Sequence, residues 1–498
     1  MQNHLPSSRT DLRVEKIGGD DSFQLRKTLA MLTERYENGG KGIYVFSAFK
    51  NSIAENSSDR WNTTDILIEI AERISQKDEK IALEKAKELE EFYQERIETE
   101  LSDHSEKEEV LSFLKEEFEK LQNAITESIS GGQIPSKEND YSITFDDETF
   151  SIMGWGEMLV SKIYSETFGK ENTWINTYGM EKKKSIESIR NEVAEKAMHA
   201  IERENIAFVP GYSGNLDGGL FRKVGRGYSD WTAGNLYAAI RKKYPEENVA
   251  FMLKKLYNLS SADPREVKDV QILTHISYEL LLQMVDPDGA DAGFVNRAAA
   301  MPEIFRNNGY MQVYTDSGIG TVITMQGPEN PPKGIEFVQS RRVQKVRIHS
   351  YHMNRDGYFA FVTGFLANHG CSIIDDSSDA TSINLMISVN KKEGISEEKK
   401  RFDTVCEKLK QELKIWEEDE DSEVSVEHTS HTLIFVGGEN INQVGILSEI
   451  TGILANAGIN LGPVIQTDKP KVIVFGVSEN EQKKAISLLH RELIENKN

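Results

Sequence analysis

The chain has little of what would tie it to a membrane, a secretory compartment or a polyanion. Cysteine occurs twice in 498 residues, as Cys371 and Cys406, so no disulfide framework is available and a reduced compartment is expected. No apolar run approaches the roughly 18 residues needed to cross a bilayer. Met1 to Arg13 is polar and carries no apolar signal core, so the expectation is a cytoplasmic protein with no membrane partner. Positive charge is also short: 59 Lys and Arg face 81 Asp and Glu, a formal net charge of −22, which argues against a nucleic-acid partner. Neither a G-x-x-x-x-G-K-[ST] loop nor a G-x-G-x-x-G after a strand is present, so a P-loop or Rossmann site is unsupported. His428 and His431 are three residues apart but lack third and fourth ligands, and no metal site is expected.

The acid that is present is concentrated. Residues 77–120 hold 8 Lys and Arg against 16 Asp and Glu. The spacing of Ile81, Leu83, Phe92, Leu101, Val110, Leu111, Leu114, Phe118 and Leu121 predicts two amphipathic helices with a break near Ser102-Asp103. We read this as a solvated helical insertion of about residues 77–123. A second acidic stretch, 393–427, predicts a helix around Phe402, Val405, Leu409 and Leu413, followed by a connector. Its partner in charge is the basic run Arg341, Arg342, Lys345 and Arg347.

The length calls for more than one core. From Val14 to about Thr324, short apolar runs such as Ile43 to Phe46 and Ala207 to Val209 alternate with helical patterns, which predicts an α/β domain with a largely parallel, covered sheet. The segment QGPENPPKG follows, through which no helix or strand can run. Beyond it FLANHGCSI and ILANAGINL mark an internal repeat of about 85 residues, each copy reading strand, helix, strand, strand, helix. The expected domains are 1–330, 340–425 and 430–498.

Three segments of the first domain have chemistry to offer. VEKIGG is a strand ending in Lys16, Gly18 and Gly19, where backbone N–H groups can approach a phosphate and the lysine adds a point charge. VGRGYSDWTA runs a glycine-rich loop into a helix, and Arg226 there presents a fork for a carboxylate. Gly156-Glu157-Met158-Leu159 opens another apolar helix, with Glu157 expected near its first turn.

Taken in order, these segments resemble the aspartate kinases of the amino-acid kinase superfamily. VEKIGG is similar to the family's opening K-F/I-G-G-T-S strand, and YVFSAFKNS followed by TTDIL resembles V-V-S-A followed by T-N/D-L-L. GEML resembles S-x-G-E-x-L, and GRGYSDWTA is close to G-R-G-G-S-D-Y-T-A. SSADPREV and HISYELL look like the family's later segments. The repeated C-terminal units resemble paired ACT domains. The resemblance implies a three-layer αβα kinase domain followed by two α+β ferredoxin-like ACT domains. It implies transfer of the ATP γ-phosphoryl group, with Mg2+, to the side-chain carboxylate of L-aspartate.

Carried over position by position, Lys16 would hold the transferring group and Asp230 would orient the reactants. Thr64, Glu157, Arg226 and Ser229 would hold the amino acid, Glu157 at its ammonium and Arg226 at its α-carboxylate. Gly18, Gly19, Ser47, Ala48 and Arg265 would line the nucleotide site. Asn440, Gln443, Val444 and Ile446 would receive an amino-acid effector, lysine or threonine, and ACT pairing would make a homodimer or larger assembly. The chain departs from the pattern on the nucleotide side: Asp20-Asp21 replaces Thr-Ser, 253–260 replaces W-T-D-V-x-G-V-Y, and Asp291 stands at a lysine position. The alternatives are a catalytically degenerate regulatory relative that binds an amino acid, and a kinase for another amino acid.

Overall fold

The computed structural model describes residues 12–51, 61–131, 152–177, 185–212, 227–255, 258–284, 302–353, 355–389, 395–417, 423–466 and 471–497. The chain divides into two units, one of residues 1–258 with 295–325, the other of 259–294 with 326–498.

In chain order the first unit runs β1 (Leu12–Ile17), α1 (Gly19–Phe23), α2 (Leu25–Glu37), β2 (Lys41–Phe46), β3 (Lys50–Asn51), β4 (Trp61–Asn62), α3 (Thr63–Ser75), α4 (Glu79–Glu100), α5 (His104–Gly131), α6 (Ile152–Phe168), α7 (Ile186–Glu204), β5 (Ile206–Pro210), α8 (Tyr228–Lys243) and β6 (Val249–Lys254). Two elements of the second unit intervene, β7 (His275–Ser277) and α9 (Tyr278–Met284), and the first unit closes with α10 (Pro302–Phe305), β8 (Tyr310–Thr315) and β9 (Gly318–Thr324). Its strands lie in the order β5-β2-β1-β6-β8-β9. The first five are mutually parallel, and β9 returns antiparallel to β8. The sequences IAFVP of β5 and VAFMLK of β6 are buried at every position. Such unbroken apolar runs are what a parallel sheet covered on both faces demands.

The acidic region forms the two expected helices. Asp78 caps α4 by accepting from Ile81 N–H at 3.3 Å, and Asp103 caps α5 through Ser105 and Glu106. The break therefore falls at a residue whose carboxylate satisfies the next helix's free donors. The buried stripe of α4 is Ala82, Ala86, Leu89, Tyr93 and Ile97, one face at helical spacing. It leaves the acidic faces to solvent.

The second unit continues with β10 (Phe337–His349), α11 (Tyr358–Asn368), β11 (Ile373–Ser378), β12 (Ser382–Ser388), α12 (Ile395–Glu417), β13 (Ser425–Gly437), α13 (Ile446–Asn456), β14 (Val464–Ile465), β15 (Val472–Ser478) and α14 (Gln482–Leu493). One antiparallel sheet, β11-β12-β10-β13-β15-β14, joins the two copies of the repeat through an unbroken ladder from Phe337 opposite Gly437 to His349 opposite Ser425. The copies match in backbone detail. Gly357 and Gly445 precede α11 and α13 with φ of 86° and 92°, and Gly370 and Gly458 follow them with φ of 69° and 70°. Each copy has its own core, around Leu385, Phe402 and Leu409 in the first and Ile450, Phe475 and Leu489 in the second. The basic run meets acid as expected, with Arg342 2.7 Å from the fully buried Glu398 carboxylate.

Residues 259–294 group with the second unit through specific contacts. Ser261 Oγ lies 2.8 Å from the buried His490 Nε2, Val338 N–H donates to Ser261 O at 2.7 Å, and Ser277 N–H donates to Glu439. Among the described residues no helix is long and apolar enough to cross a membrane.

Candidate active site

Parallel strands in register bring their carboxyl ends to one edge of the first unit's sheet: Ile17 pairs with Phe46, Phe46 with Pro210, and Lys16 with Leu253. The residues that follow, Gly18-Gly19, Ser47-Ala48, Gly211-Tyr212 and Lys255, therefore gather at the edge where open α/β sheets bind ligands.

Lys16, at the end of β1, places its Nζ 3.1 Å from Asp230 Oδ1, and both side chains are largely buried. Asp230 is in the first turn of α8, whose cap Gly227 has a φ of 92°. Lys255 Nζ stands 3.8 Å from the other carboxylate oxygen. Burial opposes ionisation of Asp230, but Lys16 and Lys255 outweigh it and hold the carboxyl below its usual range. Beside this pair, Ser47 Oγ and Ser229 Oγ are 2.8 Å apart. Gly19 lies so close to β2's end that a Cβ there would sit 2.7 Å from Ala48 O.

Glu157 is in the second turn of α6 rather than its first, because the helix begins at Ile152. The residue is 2% exposed. Burial pushes its pKa up to about 7, against hydrogen bonds from the Tyr228 hydroxyl and the Ala48 N–H and the pull of Lys16. Oε2 has no hydrogen-bond partner among the described residues. A buried carboxylate with an open oxygen is poised for a cation. The Thr64 hydroxyl reaches the Tyr228 hydroxyl, which donates to Glu157, so Thr64 and Glu157 are linked through a tyrosine. Gly211 permits this closeness: a Cβ there would lie 2.5 Å from Phe46 O, 2.6 Å from Ser229 Cβ and 3.2 Å from Glu157 Cγ.

Asp21 is not loose at this edge. Its Oδ1 is 2.7 Å from Lys254 Nζ, which also lies 2.8 Å from Asp316 Oδ1. Burial pulls the Lys254 pKa down, and the two carboxylates more than offset it. The helical insertion reaches this edge too. Arg96 of α4 stacks 3.8 Å over the Phe23 ring and donates to Phe23 O at 2.7 Å, and Phe92 stacks on Phe23 and Trp61.

The structure thus brings together Lys16, Gly18, Gly19, Ser47, Ala48, Thr64, Glu157, Ser229 and Asp230. Arg226 and Asp291 lie outside the described residues. Arg265 belongs to the second unit, where its guanidinium binds Asp263 at 2.6 Å. Sequence reasoning missed Tyr228, Gly211 and the pairing of Asp21 with Lys254. Tyr228 had a signal, for it stands at the third glycine of G-R-G-G-S-D.

The expected effector residues lie together in the second unit. Asn440 O accepts from Gly334 N–H and from the Gln443 side chain, Val444 is fully exposed, and Ile446 is 7% exposed in the core. The buried Glu439 beside them pairs with Lys471 at 2.5 Å.

The chain can now be set beside known proteins. No protein-family model matches it. Over 286 residues, 56% of the chain, it is 24% identical to the aspartate kinase Ask_Ect of Stutzerimonas stutzeri (strain A1501), and over 300 residues, 58% of the chain, 25% identical to aspartokinase 2 of Bacillus subtilis (strain 168). These matches span 55% and 67% of the relatives' lengths. Among solved structures, the Clostridium acetobutylicum aspartate kinase superposes with a TM-score of 0.69 at 17% identity, over 97% of this chain and 100% of that one. In sequence over part of its length, and in fold, the chain is similar to aspartate kinases. E. coli aspartokinase III, in complex with lysine and aspartate, matches with a TM-score of 0.68 at 19% identity, again over 97% of this chain and 100% of that one. The aspartate kinase fold therefore extends through both units, with a parallel kinase-type sheet first and an antiparallel ACT-type sheet after it.

Proposed function

We propose that the chain is an aspartate kinase, transferring the ATP γ-phosphoryl group to the side-chain carboxylate of L-aspartate to give 4-phospho-L-aspartate, a first step of amino-acid biosynthesis. One observation carries the reading: a largely buried lysine–carboxylate pair, Lys16 and Asp230, lies at the carboxyl edge of the sheet together with a buried Glu157 that has an open oxygen. Phosphoryl transfer asks the protein mainly for positioning and charge neutralisation, and these residues offer both. Lys16 holds the transferring group, with Gly18, Gly19, Ser47 and Ala48 around the phosphates. Glu157 takes the substrate ammonium, Thr64 and Ser229 flank it, Arg226 takes the α-carboxylate, and Asp230 keeps Lys16 in place until nucleotide arrives. The E. coli aspartokinase III structure in complex with aspartate and ADP, a match with a TM-score of 0.64, supports the choice of ligands.

Magnesium would fit here in its usual manner, on phosphate oxygens with one or two carboxylates, of which Asp230 lies within the cluster. When bound it supplies charge neutralisation on the phosphates. In the second half we assign ACT domains to 340–425 and 430–498, with Asn440, Gln443, Val444 and Ile446 around an effector such as lysine or threonine and with dimer or larger assembly. Two cysteines, both buried and free, suit a cytoplasmic location.

The test is a coupled ADP assay with aspartate, ATP and magnesium, with the acyl phosphate trapped by hydroxylamine across a panel of amino acids. Aspartyl hydroxamate, abolished by Asp230→Ala, is the expected product. Turnover with another amino acid alone would reassign the substrate. Amino-acid binding by calorimetry without ATP binding or turnover would make the chain a regulatory relative.

A further inference from the structure

Lys255 has no part in the function proposed above, yet its surroundings call for one. Its ammonium stands 3.8 Å from Asp230 Oδ2, beyond hydrogen-bond reach, and this is its one ion pair among the described residues; the side chain is 18% exposed. Lys16 already holds the same carboxylate at closer range on its other oxygen. Asp21, the second acid felt by Lys255, is taken by Lys254 at 2.7 Å, while Lys16 and Lys50 add like charge. Lys16 and Lys255 thus share the Asp230 carboxylate, while the Asp21 carboxylate is engaged by Lys254. Burial lowers the Lys255 pKa in these surroundings. A largely buried ammonium short of a hydrogen-bonding anion is costly alone and favourable once a ligand brings the anion.

We propose that Lys255 is a phosphate-binding residue of the nucleotide site: in the ternary complex its ammonium takes an oxygen of the terminal phosphate opposite Lys16, so that the phosphoryl group in transit is held between two lysines. The inference rests on the aspartate kinase reading. In the step it serves, an oxygen of the aspartate side-chain carboxylate bonds to the terminal phosphorus while the bond from that phosphorus to the bridging oxygen breaks. ADP leaves with the electron pair, and no proton moves. Negative charge shifts onto the bridging oxygen and the phosphoryl oxygens as this happens, and a second fixed cation close to them stabilises the transition state more than the ground state. Lys254 cannot take the part, since its ammonium is engaged by Asp21 at 2.7 Å and Asp316 at 2.8 Å.

The experiment compares wild type, Lys255→Met and Lys255→Arg in the full chain. Calorimetry is run with the non-hydrolysable analogue β,γ-imido-ATP and with AMP, and steady-state kinetics with aspartate, ATP and magnesium. Loss of one charge-assisted hydrogen bond predicts that Lys255→Met binds β,γ-imido-ATP about tenfold or more weakly and loses a similar factor in kcat. AMP, which lacks the terminal phosphates, keeps its affinity within about twofold, the aspartate KM is unchanged, and Lys255→Arg recovers part of the loss. A general defect in the fold would instead weaken AMP and aspartate along with the analogue, and thermal melting reads it separately. Wild-type affinity and turnover in Lys255→Met overturn the proposal and leave the kinase reading standing, as does equal weakening of AMP and β,γ-imido-ATP. A wild-type chain that neither binds the analogue nor consumes ATP overturns both.

Discussion

Glu157 sets a pH dependence that can be worked from its surroundings. Burial raises its pKa from 4.5 to about 7, so between those values the folded protein binds more protons than the unfolded chain. Stability must then fall as pH rises through this window and stay reduced above it, by about 3 kcal/mol in all. Glu157→Gln removes the titrating group, so the variant should gain that amount over wild type at pH 8 and nothing near pH 4. Urea unfolding followed by tryptophan fluorescence is suited to the measurement, because Trp61, Trp155, Trp174 and Trp231 all lie in the first unit. The same proton governs the substrate. If the aspartate ammonium lands on Glu157, binding at pH 6 should release ~0.9 proton and at pH 8 only ~0.1, and affinity should rise about tenfold per unit up to pH 7. Calorimetry in buffers of different ionisation enthalpy reads the release directly. Aspartate binding at pH 6 with no proton released, together with parallel pH–stability curves for wild type and Glu157→Gln, would refute the reasoning.

Other residues of the site give further expectations. Tyr228→Phe removes the hydroxyl that donates to Glu157 but keeps the ring packed edge-on at 5.1 Å from Tyr212; the aspartate KM should rise about tenfold while the melting temperature holds. Gly211→Ala forces a methyl to within 2.5 Å of Phe46 O and 2.6 Å of Ser229 Cβ, and the resulting backbone shift should cost about 1–3 kcal/mol by denaturant titration and abolish turnover. Arg96→Ala removes the guanidinium stacked on Phe23 and its bonds to Phe23 O and Glu100. Because Phe23 closes α1, which starts at Gly19, the ATP KM should rise severalfold while AMP and aspartate binding change less.

What was legible in the sequence follows from the range of the interactions involved. The parallel sheet could be read from runs such as IAFVP, since strands covered on both faces carry no polar alternation. The repeat could be read from FLANHGCSI and ILANAGINL because each needs a glycine past its helix, and Gly370 and Gly458 supply it at nearly identical φ. The stripe of α4 differs from the expected one: Ile81, Leu83 and Phe92 stand out by hydrophobicity, whereas Ala82 and Ala86 face the core together with Leu89, Tyr93 and Ile97. Small residues mark a close helix contact but look unremarkable in a pattern of large apolar side chains. The site was legible where a motif is local, as with Lys16 and Gly18-Gly19 or Ser229-Asp230. It was not legible where a partner comes from far along the chain. The Asp21–Lys254 pair spans over two hundred positions, and the link from Thr64 through Tyr228 to Glu157 joins three elements. Only the fold makes them neighbours.

That pairing bears on whether the nucleotide side has been lost or rebuilt. Asp21 in place of a hydroxyl, about 5 Å from a phosphate oxygen, would repel it by roughly 3 kcal/mol at an effective dielectric of 20, enough by itself to weaken ATP more than a hundredfold. An opposite charge against the intruding carboxylate removes most of that penalty. Lys254 lies 2.7 Å away and is itself a departure from the family's W-T-D-V run. The next departure, Lys255, brings its ammonium to within 3.8 Å of Asp230. Independent decay has no reason to set an added acid beside an added base and a second base beside the carboxylate that holds Lys16. We propose instead a site rebuilt for polyphosphate, in which the Asp21 carboxylate is tolerable because Lys254 neutralises it. Reversing the pair tests this: Asp21→Ser alone and Lys254→Thr alone should each weaken β,γ-imido-ATP binding or stability, and the double variant should recover more than the sum of the two effects allows. Strict additivity would mean that the two residues are neighbours by accident.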